Sequence, residues 1–331
     1  MSALEPSGGP ASAGQLARER LGAIAQSYGA AIVLALLVVV ASVSFPTFLT
    51  PNNLSNIATQ SSFPLIVAIG MTFVILTGGI DLSVGSVFAL GGVLGAFGSE
   101  WGVAGAFLFP MVVGALIGSV QGALVAYARM APFIVTLAGL LAVRGLVLAV
   151  TSGGSTTPLI KDPVTTSIGQ GTIFGLSYTV VIALVLLAIG VLLLARSRGG
   201  QSVLAIGGSE SAATLMGLPV ARVRFVVYVL SAIGASLAGA LNAAYSSSGV
   251  PTVGVGLELS AISAVVIGGT LLSGGKGSLV GTLAGVLLLA VIQNMINQVG
   301  SLTSSVQAVV SGGFLALVVI IQTVLARTQR L

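Results

Sequence analysis

The chain has 331 residues, of which 56% are hydrophobic and 6% are charged, and its formal net charge is +5. An ordinary soluble domain has about 25% charged residues, so this composition excludes a water-exposed globular protein and indicates a membrane protein with several spans. The chain contains no cysteine and no histidine, which excludes disulfides, thiol chemistry, Cys/His metal sites and histidine acid–base catalysis.

The order of apolar runs predicts the architecture. Residues 1–28 are small and polar, and we expect a disordered cytoplasmic tail there, followed by a single transmembrane domain at 29–331. The apolar runs are continuous rather than alternating, which favours helices over a β-barrel. We therefore predict an all-α polytopic protein with about ten transmembrane helices, the first being a retained anchor and not a cleaved signal peptide. The ten runs lie at roughly 29–48, 55–77, 84–99, 102–128, 132–151, 177–196, 222–245, 259–273, 277–298 and 304–326.

The basic residues predict the orientation. If the N-terminus is inside and the chain crosses ten times, ten of the 12 Lys and Arg residues fall on the inner side. Lys161 then lies outside, and Arg144 lies within a span. Because inner loops of membrane proteins are rich in Lys and Arg, we expect both termini in the cytoplasm.

Two pairs of similar segments predict an internal repeat. GIDLS at 79–83 is matched by GLELS at 256–260, and GALIGSVQG at 114–122 by GSLVGTLAG at 277–285. Both pairs are separated by five spans, so the copies run in opposite directions across the membrane. We therefore predict an inverted repeat of spans 2–5 and 7–10, a pattern typical of membrane transporters. GGTLLS at 268–273 also resembles GGIDLS at 78–83, and we interpret that match as a local turn likeness.

Polar residues within or beside the spans are candidates for a pathway. An arginine within a span is costly, so Arg144 either faces a water-filled path, pairs with a carboxylate, or extends to the outer surface. Asp81 and Glu258 either cap helices or contact a solute. Uncharged polar residues at membrane depth either line a path for a polyhydroxylated solute or join helices. The candidate pathway or gating residues are Asp81, Ser83, Thr136, Arg144, Glu258, Ser260, Gln293 and Asn294.

The inner loop at about 197–221 contains a predicted short helix. Ser209 can cap it, Glu210 suits the positive end of the helix dipole, and Gly217 can end it. From the residues alone, this helix is either a docking surface or a structured connector. The candidate docking residues are Gly207, Gly208, Ser209, Glu210, Ala212, Ala213, Met216 and Gly217.

Two absences concern the energy source. An ion-driven carrier is expected to hold several buried carboxylates, and none lies clearly at mid-membrane. GGKG at 274–277 resembles part of a phosphate-binding loop, but the leading Gly and the following Ser or Thr are missing. The chain is therefore expected not to hydrolyse ATP, and a partner is expected to supply the energy through the cytoplasmic face.

Four motifs in order resemble the permease subunits of bacterial sugar ABC importers of the ribose type. They are TGGIDLSVGSVFALGG (77–92), APFIVTLAGLLAVRGL (131–146), AIGGSESAATLMGLPV (205–220) and AISAVVIGGTLLSGGKGSLVGTLAGV (261–286). LMG at 215–217, together with the segment at 254–275, looks closest to the galactofuranose importer permeases.

The resemblance implies a ten-helix permease of the bacterial inner membrane that forms the path for a monosaccharide such as ribose or galactofuranose. It also implies a homo- or heterodimer, ABC ATPase subunits docked on the inner loop, and an extracytoplasmic sugar-binding protein. We expect membrane lipid around the chain and no nucleic acid, cofactor, metal or catalytic residue. The alternatives are a non-sugar ABC permease, similar to those for branched-chain amino acids, and an ion-coupled secondary carrier.

Overall fold

The computed structural model describes residues 13–299, 309, 312 and 313, and these residues are mostly helical. The helices are α1 (Ala13–Ser44), α2 (Pro51–Leu76), α3 (Val84–Gly98), α4 (Gly102–Ala126), α5 (Pro132–Val150), α6 (Pro163–Gln170), α7 (Tyr178–Arg196), α8 (Arg198–Gly208), α9 (Glu210–Leu215), α10 (Val220–Ser246), α11 (Leu257–Ile267) and α12 (Leu279–Val299). A 3-10 turn, Ser99–Trp101, joins α3 to α4, and a short antiparallel hairpin pairs β1 (Thr172–Ile173) with β2 (Leu176–Ser177).

The helices confirm the prediction of an all-α membrane protein. Within the described residues, six segments are long and apolar enough to cross a bilayer: α2, α3 with α4, α5, α7, α10 and α12. Two shorter apolar helical stretches are Gly29–Ser44 in α1 and Leu257–Ile267, which is α11. A helix lies in each of the first nine predicted runs, although α11 ends at Ile267, inside the eighth run at 259–273, and the tenth run, at 304–326, lies largely outside the described residues.

The N-terminal segment differs in part from the expectation. α1 begins at Ala13, inside the segment that was expected to be a tail. Residues 1–12 lie outside the described part of the chain. The boundary of the domain at residue 29 stays a prediction.

Glycine turns end both α2 and α11. Gly78 has φ +78° and Gly269 has φ +90°, a region that glycine enters without steric cost. The Gly79 N–H donates to the Val74 carbonyl at 3.1 Å, and the Thr270 N–H donates to the Val265 carbonyl at 3.2 Å. Both motifs therefore end a helix in a glycine turn, but the turn glycine is the first of the pair in GGIDLS and the second in GGTLLS, so the two turns are offset by one position.

Small residues bring α10 close to the helices around it. α10 packs against α4, α3 and α2. A Cβ atom added to Gly118 of α4 would lie 2.8 Å from the Val229 Cα atom of α10, so only glycine allows this approach. In α12, by contrast, Gly281 packs against the backbone of Gly268, at the end of α11. The motifs at 114–122 and 277–285 thus share a spacing and a close approach, but they contact different helices.

Candidate functional site

A cavity of about 620 Å³ lies between α2, α11 and α12. Its volume falls in the range of roughly 300–1,000 Å³ that small-molecule sites occupy. Its wall combines apolar side chains with hydroxyl and amide groups, which can both donate and accept hydrogen bonds. None of the described residues on the wall is charged. The polar ones are Asn56, Gln60, Ser61, Ser260, Gln293, Asn294 and Asn297.

A second cavity, of about 530 Å³, shares part of this wall. Gln60 and Ser260 line both cavities, so the two are adjacent. The second cavity adds Asn242 and three aromatic rings, those of Phe63, Phe88 and Tyr245, and the ring centroids of Phe63 and Tyr245 are 5.8 Å apart. The two cavities therefore offer amides, hydroxyls and aromatic faces.

Asn294 belongs both to the cavity wall and to a contact between helices. Its side-chain amide exchanges two hydrogen bonds with Asn53, at 2.7 and 3.2 Å. The Gln298 Nε2 atom donates to the Asn294 Oδ1 atom at 2.7 Å, and the Thr47 Oγ1 atom donates to the Gln298 Oε1 atom at 2.7 Å. This chain of bonds joins α12 to the start of α2. Uncharged polar residues at membrane depth were predicted either to line a path or to join helices, and Asn294 has the geometry for both roles.

Arg144 positions the segment that precedes α11. Its Nη1 atom donates to the carbonyls of Pro251 and Val253, each at 3.1 Å. Val253 lines the first cavity, whereas Arg144 lies behind this segment. Arg144 forms no ion pair within the described residues. One predicted alternative was a pair with a carboxylate, and in the structure the guanidinium group bonds to backbone carbonyls. Glu258 accepts the Gly256 N–H at 3.2 Å, which fixes the turn before α11.

Asp81 and Ser83 lie in a buried network away from both cavities. The Asp81 Oδ1 atom accepts the Ser83 backbone N–H at 3.0 Å and the Ser83 hydroxyl at 2.7 Å. The Asp81 Oδ2 atom accepts the Ser231 hydroxyl of α10 at 2.8 Å. Both Asp81 and Ser83 are fully buried. The carboxylate therefore satisfies a backbone N–H near the start of α3, as a capping group would, and also joins α3 to α10.

Gln121 of α4 extends this network. The Ser83 Oγ atom lies 3.1 Å from the Gln121 Oε1 atom, while the Gln121 Nε2 atom is buried without a partner. A serine hydroxyl has one proton, and the Asp81 carboxylate accepts it. Amide orientation is assigned from such networks, and with the amide turned over the Gln121 nitrogen donates to the Ser83 hydroxyl oxygen, while the amide oxygen takes the buried position that has no partner among the described residues. Sequence analysis did not single out Gln121, although it lies inside the small-residue motif at 114–122.

Thr136 is also buried away from the cavities. Its Oγ1 atom donates to the carbonyls of Pro132, at 2.9 Å, and Ile80, at 3.3 Å. The Tyr228 hydroxyl donates to the same Ile80 carbonyl at 3.3 Å. The structure thus brings Ser260, Gln293 and Asn294 to the cavity wall and gathers Asp81, Ser83 and Thr136 behind it. The predicted set leaves out other polar residues of the two cavity walls, among them Asn56, Gln60, Ser61 and Asn242.

The inner segment 197–221 contacts the end of α2 through its backbone. A Cβ atom on Gly207 would overlap the Leu76 carbonyl and the Gly275 nitrogen. The Gly275 N–H itself donates to the Leu76 carbonyl at 3.0 Å. Leu76, Gly207 and Gly275 therefore form a close backbone junction, and only glycine fits at position 207.

The predicted short helix is present as α9. The Ser209 Oγ atom accepts the Ala212 N–H at 3.3 Å, and Gly217 follows the helix with φ +76°. Glu210 forms a two-pronged ion pair with Arg224 of α10, at 2.8 and 2.6 Å. Ala213 faces the protein and is buried, whereas Leu215 is exposed, so the apolar residues of α9 are divided between the interior and the surface.

Two large apolar side chains stand exposed at the end of α9. Leu215 is 89% exposed and Met216 is 75% exposed. Gly208 and Ala212 are exposed beside them. An exposed apolar patch of this kind marks an interaction surface more often than a connector.

The chain is similar to known proteins over most of its length. The family model described as "Branched-chain amino acid transport system / permease component" matches residues 53–322. The ribose import permease protein of Escherichia coli (strain K12) is 40% identical over 303 residues, covering 87% of this chain and 92% of that protein. The ribose import permease protein of Bacillus subtilis (strain 168) is 40% identical over 311 residues, covering 92% and 94%.

A fructose import permease is similar as well. That of Bifidobacterium longum (strain NCC 2705) is 35% identical over 284 residues, covering 82% of this chain and 83% of that protein. No solved structure matches the chain. The resemblance to ribose-type import permeases that the four motifs indicated is therefore confirmed.

Proposed function

Because the chain belongs to the family of branched-chain amino acid transport system permease components, we propose that it is the permease subunit of an ABC importer and forms the path for a monosaccharide. The observation that carries this proposal is the uncharged cavity between α2, α11 and α12. Relatives that cover most of the chain are named as ribose and fructose import permeases, which supports a sugar as the solute.

The chemistry of the cavity favours a sugar over the other candidates. A free amino acid carries two charges, and burying them requires charged partners, which the described residues of the cavity wall do not provide. A sugar carries hydroxyl groups, which Gln60, Ser260 and Gln293 can satisfy by donating and accepting. An ion-coupled carrier needs a carboxylate on its path, and Asp81 lies behind the wall, already bonded to Ser83 and Ser231.

The ten spans and the inverted repeat belong to this proposal. α10 packs against α3 and α4, and α2 packs against α11 and α12. In the predicted repeat, α2 corresponds to α10, α3 to α11 and α4 to α12, so the first helix of each copy packs against the second and third helices of the other. Two copies of one unit, related by an axis in the membrane plane, would produce this arrangement. The distribution of Lys and Arg supports a multi-pass orientation in the bacterial inner membrane, with both termini in the cytoplasm and residues 29–331 forming one permease domain.

The proposed partners occupy the two sides of the membrane. ABC ATPase subunits dock on the inner segment 197–221, where the exposed side chains of Leu215 and Met216 support an apolar contact. A sugar-binding protein delivers the solute from outside, and a second permease subunit, identical or different, completes the pathway. The permease hydrolyses no ATP itself.

Reconstitution in liposomes tests the proposal. With its ATPase and binding protein, the permease is expected to take up labelled ribose, fructose or galactofuranose when ATP is inside, and to take up no leucine. Ser260→Leu, which fills the wall shared by both cavities, is expected to reduce uptake at least ten-fold. Ser119→Leu is the matched control, because Ser119 bonds within its own helix at the Ala115 carbonyl.

Three results would overturn the proposal. Uptake of leucine in place of sugars would favour the amino acid permease. Uptake by the permease alone under an ion gradient would identify a secondary carrier. Equal uptake by the Ser260→Leu and Ser119→Leu variants would remove the cavity from the path.

A further inference from the structure

An apolar groove of about 280 Å³ lies between α7, α8 and α10. Phe73 of α2 forms part of its wall and is 8% exposed. Leu193 of α7 and Val226 and Leu230 of α10 also line it, and these three side chains are 46%, 43% and 44% exposed. α7 and α10 are both long and apolar enough to cross a bilayer, so the exposed apolar side chains that they contribute to the groove are suited to contact with lipid.

One end of the groove carries unbalanced positive charge. Arg222 is the charged residue on its wall. Arg196 and Arg198 flank Ser197, which is also on the wall. All three arginines are exposed, and none forms an ion pair within the described residues.

The nearby carboxylate does not neutralise these arginines. Glu210 is the acidic residue at the start of α9, and both of its oxygens are bonded to Arg224. Arg224 itself is therefore satisfied, whereas the three arginines at the groove have no negative partner among the described residues. Their charges are available to an anion that comes from outside the chain.

The position of the charges along the helices indicates what that anion is. α7 ends at Arg196 and α10 begins at Val220, so the charged end of the groove lies where both helices leave the apolar layer. A ligand that fits must hold an anionic group at the membrane surface and an apolar chain within the layer. Basic pockets between transmembrane helices on the cytoplasmic side bind phospholipid headgroups by this combination.

We propose that this groove binds an anionic phospholipid. Arg196, Arg198 and Arg222 hold its phosphate, and one acyl chain lies along Leu193, Val226 and Leu230. The bound lipid links the ends of α7 and α10 beside the inner segment 197–221. This site does not depend on which solute the protein transports.

Native mass spectrometry of the full chain tests the site. The permease is placed in nanodiscs of phosphatidylglycerol and phosphatidylcholine in equal parts, and the lipids retained after release are counted. We expect preferential retention of phosphatidylglycerol. Arg222→Gln is expected to weaken it about five-fold, and substitution of Arg196 and Arg198 as well to weaken it further. Arg129→Gln is the matched control, since Arg129 is also an exposed arginine but does not line the groove.

A second variant tests the apolar half of the groove. Val226→Trp fills the groove while keeping all three arginines, and it is expected to lose the retained lipid. If this variant does not fold, the arginine variants still decide the matter, because they leave the apolar packing unchanged. Equal retention of phosphatidylcholine, or full retention of phosphatidylglycerol by Arg222→Gln, would overturn the proposal.

Discussion

Gly207 and Gly208 are adjacent in α8, yet we expect their substitution by alanine to change the free energy of unfolding in opposite directions. At Gly207, an added Cβ atom overlaps backbone atoms on two sides, the Leu76 carbonyl and the Gly275 nitrogen. Backbone cannot move aside as a flexible side chain can, so α8 must shift. At Gly208, nothing lies within 4 Å of an added Cβ atom.

The cost of Gly207→Ala can be worked out from these contacts. Overpacking a close contact costs about 1–3 kcal/mol. If the shift also breaks the bond from the Gly275 N–H to the Leu76 carbonyl, about 1 kcal/mol more is lost. We therefore expect Gly207→Ala to lower the free energy of unfolding by about 2–4 kcal/mol. Gly208→Ala is expected to be neutral or to stabilise by up to about 1 kcal/mol, since alanine favours a helix over glycine.

Thermal unfolding of the two purified variants in the same detergent measures this difference. Gly207→Ala is expected to unfold well below the wild type, and Gly208→Ala at or slightly above it. If the two variants unfold at the same temperature, the backbones of Leu76, Gly207 and Gly275 do not approach each other closely, and the reasoning is refuted.

Three further predictions follow from the buried contacts and the exposed patch. Asp81→Ala leaves the donors at residue 83 and Ser231 buried without a partner, so it should destabilise by about 1–3 kcal/mol for each unpaired donor and by more in total than Ser231→Ala, which removes one bond to a charged group worth about 1.5–3 kcal/mol; equal melting temperatures would contradict this order. Arg144→Met removes two bonds to carbonyls, so we expect faster proteolysis within 250–256 and reduced uptake; wild-type cleavage would show that the arginine does not hold this segment. Replacing Leu215 and Met216 by serine should abolish ATP-driven uptake without changing the melting temperature, because both side chains are exposed; unchanged uptake would remove α9 from the docking surface.

The local features of this chain follow from short stretches of sequence. Ser209 caps α9, and Gly217 ends it, because capping requires only a side-chain oxygen and a glycine at suitable spacing. The turns at Gly78 and Gly269 follow from the same logic. Helix positions also follow, since an apolar run of span length has no soluble alternative.

The roles of the polar residues required the assembled helices. Ser83 and Ser260 occupy the same position in two similar motifs, yet one is buried against Asp81 and the other lines a cavity. Gln60 was missed because a single glutamine in an apolar helix carries no mark of which side faces a cavity. Arg144 bonds to backbone carbonyls. Because every residue has a backbone carbonyl, the residue types do not indicate which carbonyls the arginine contacts.

The sequence by itself determined that this protein is a helical membrane protein, because hydropathy and turn residues act over a few neighbours along the chain, and four of its motifs carried the resemblance to import permeases. The tertiary structure alone decided which polar groups meet. Asp81 and Ser231 are 150 positions apart and Asn53 and Asn294 are 241 apart, and the packing that brings each pair together is a property of all the helices at once.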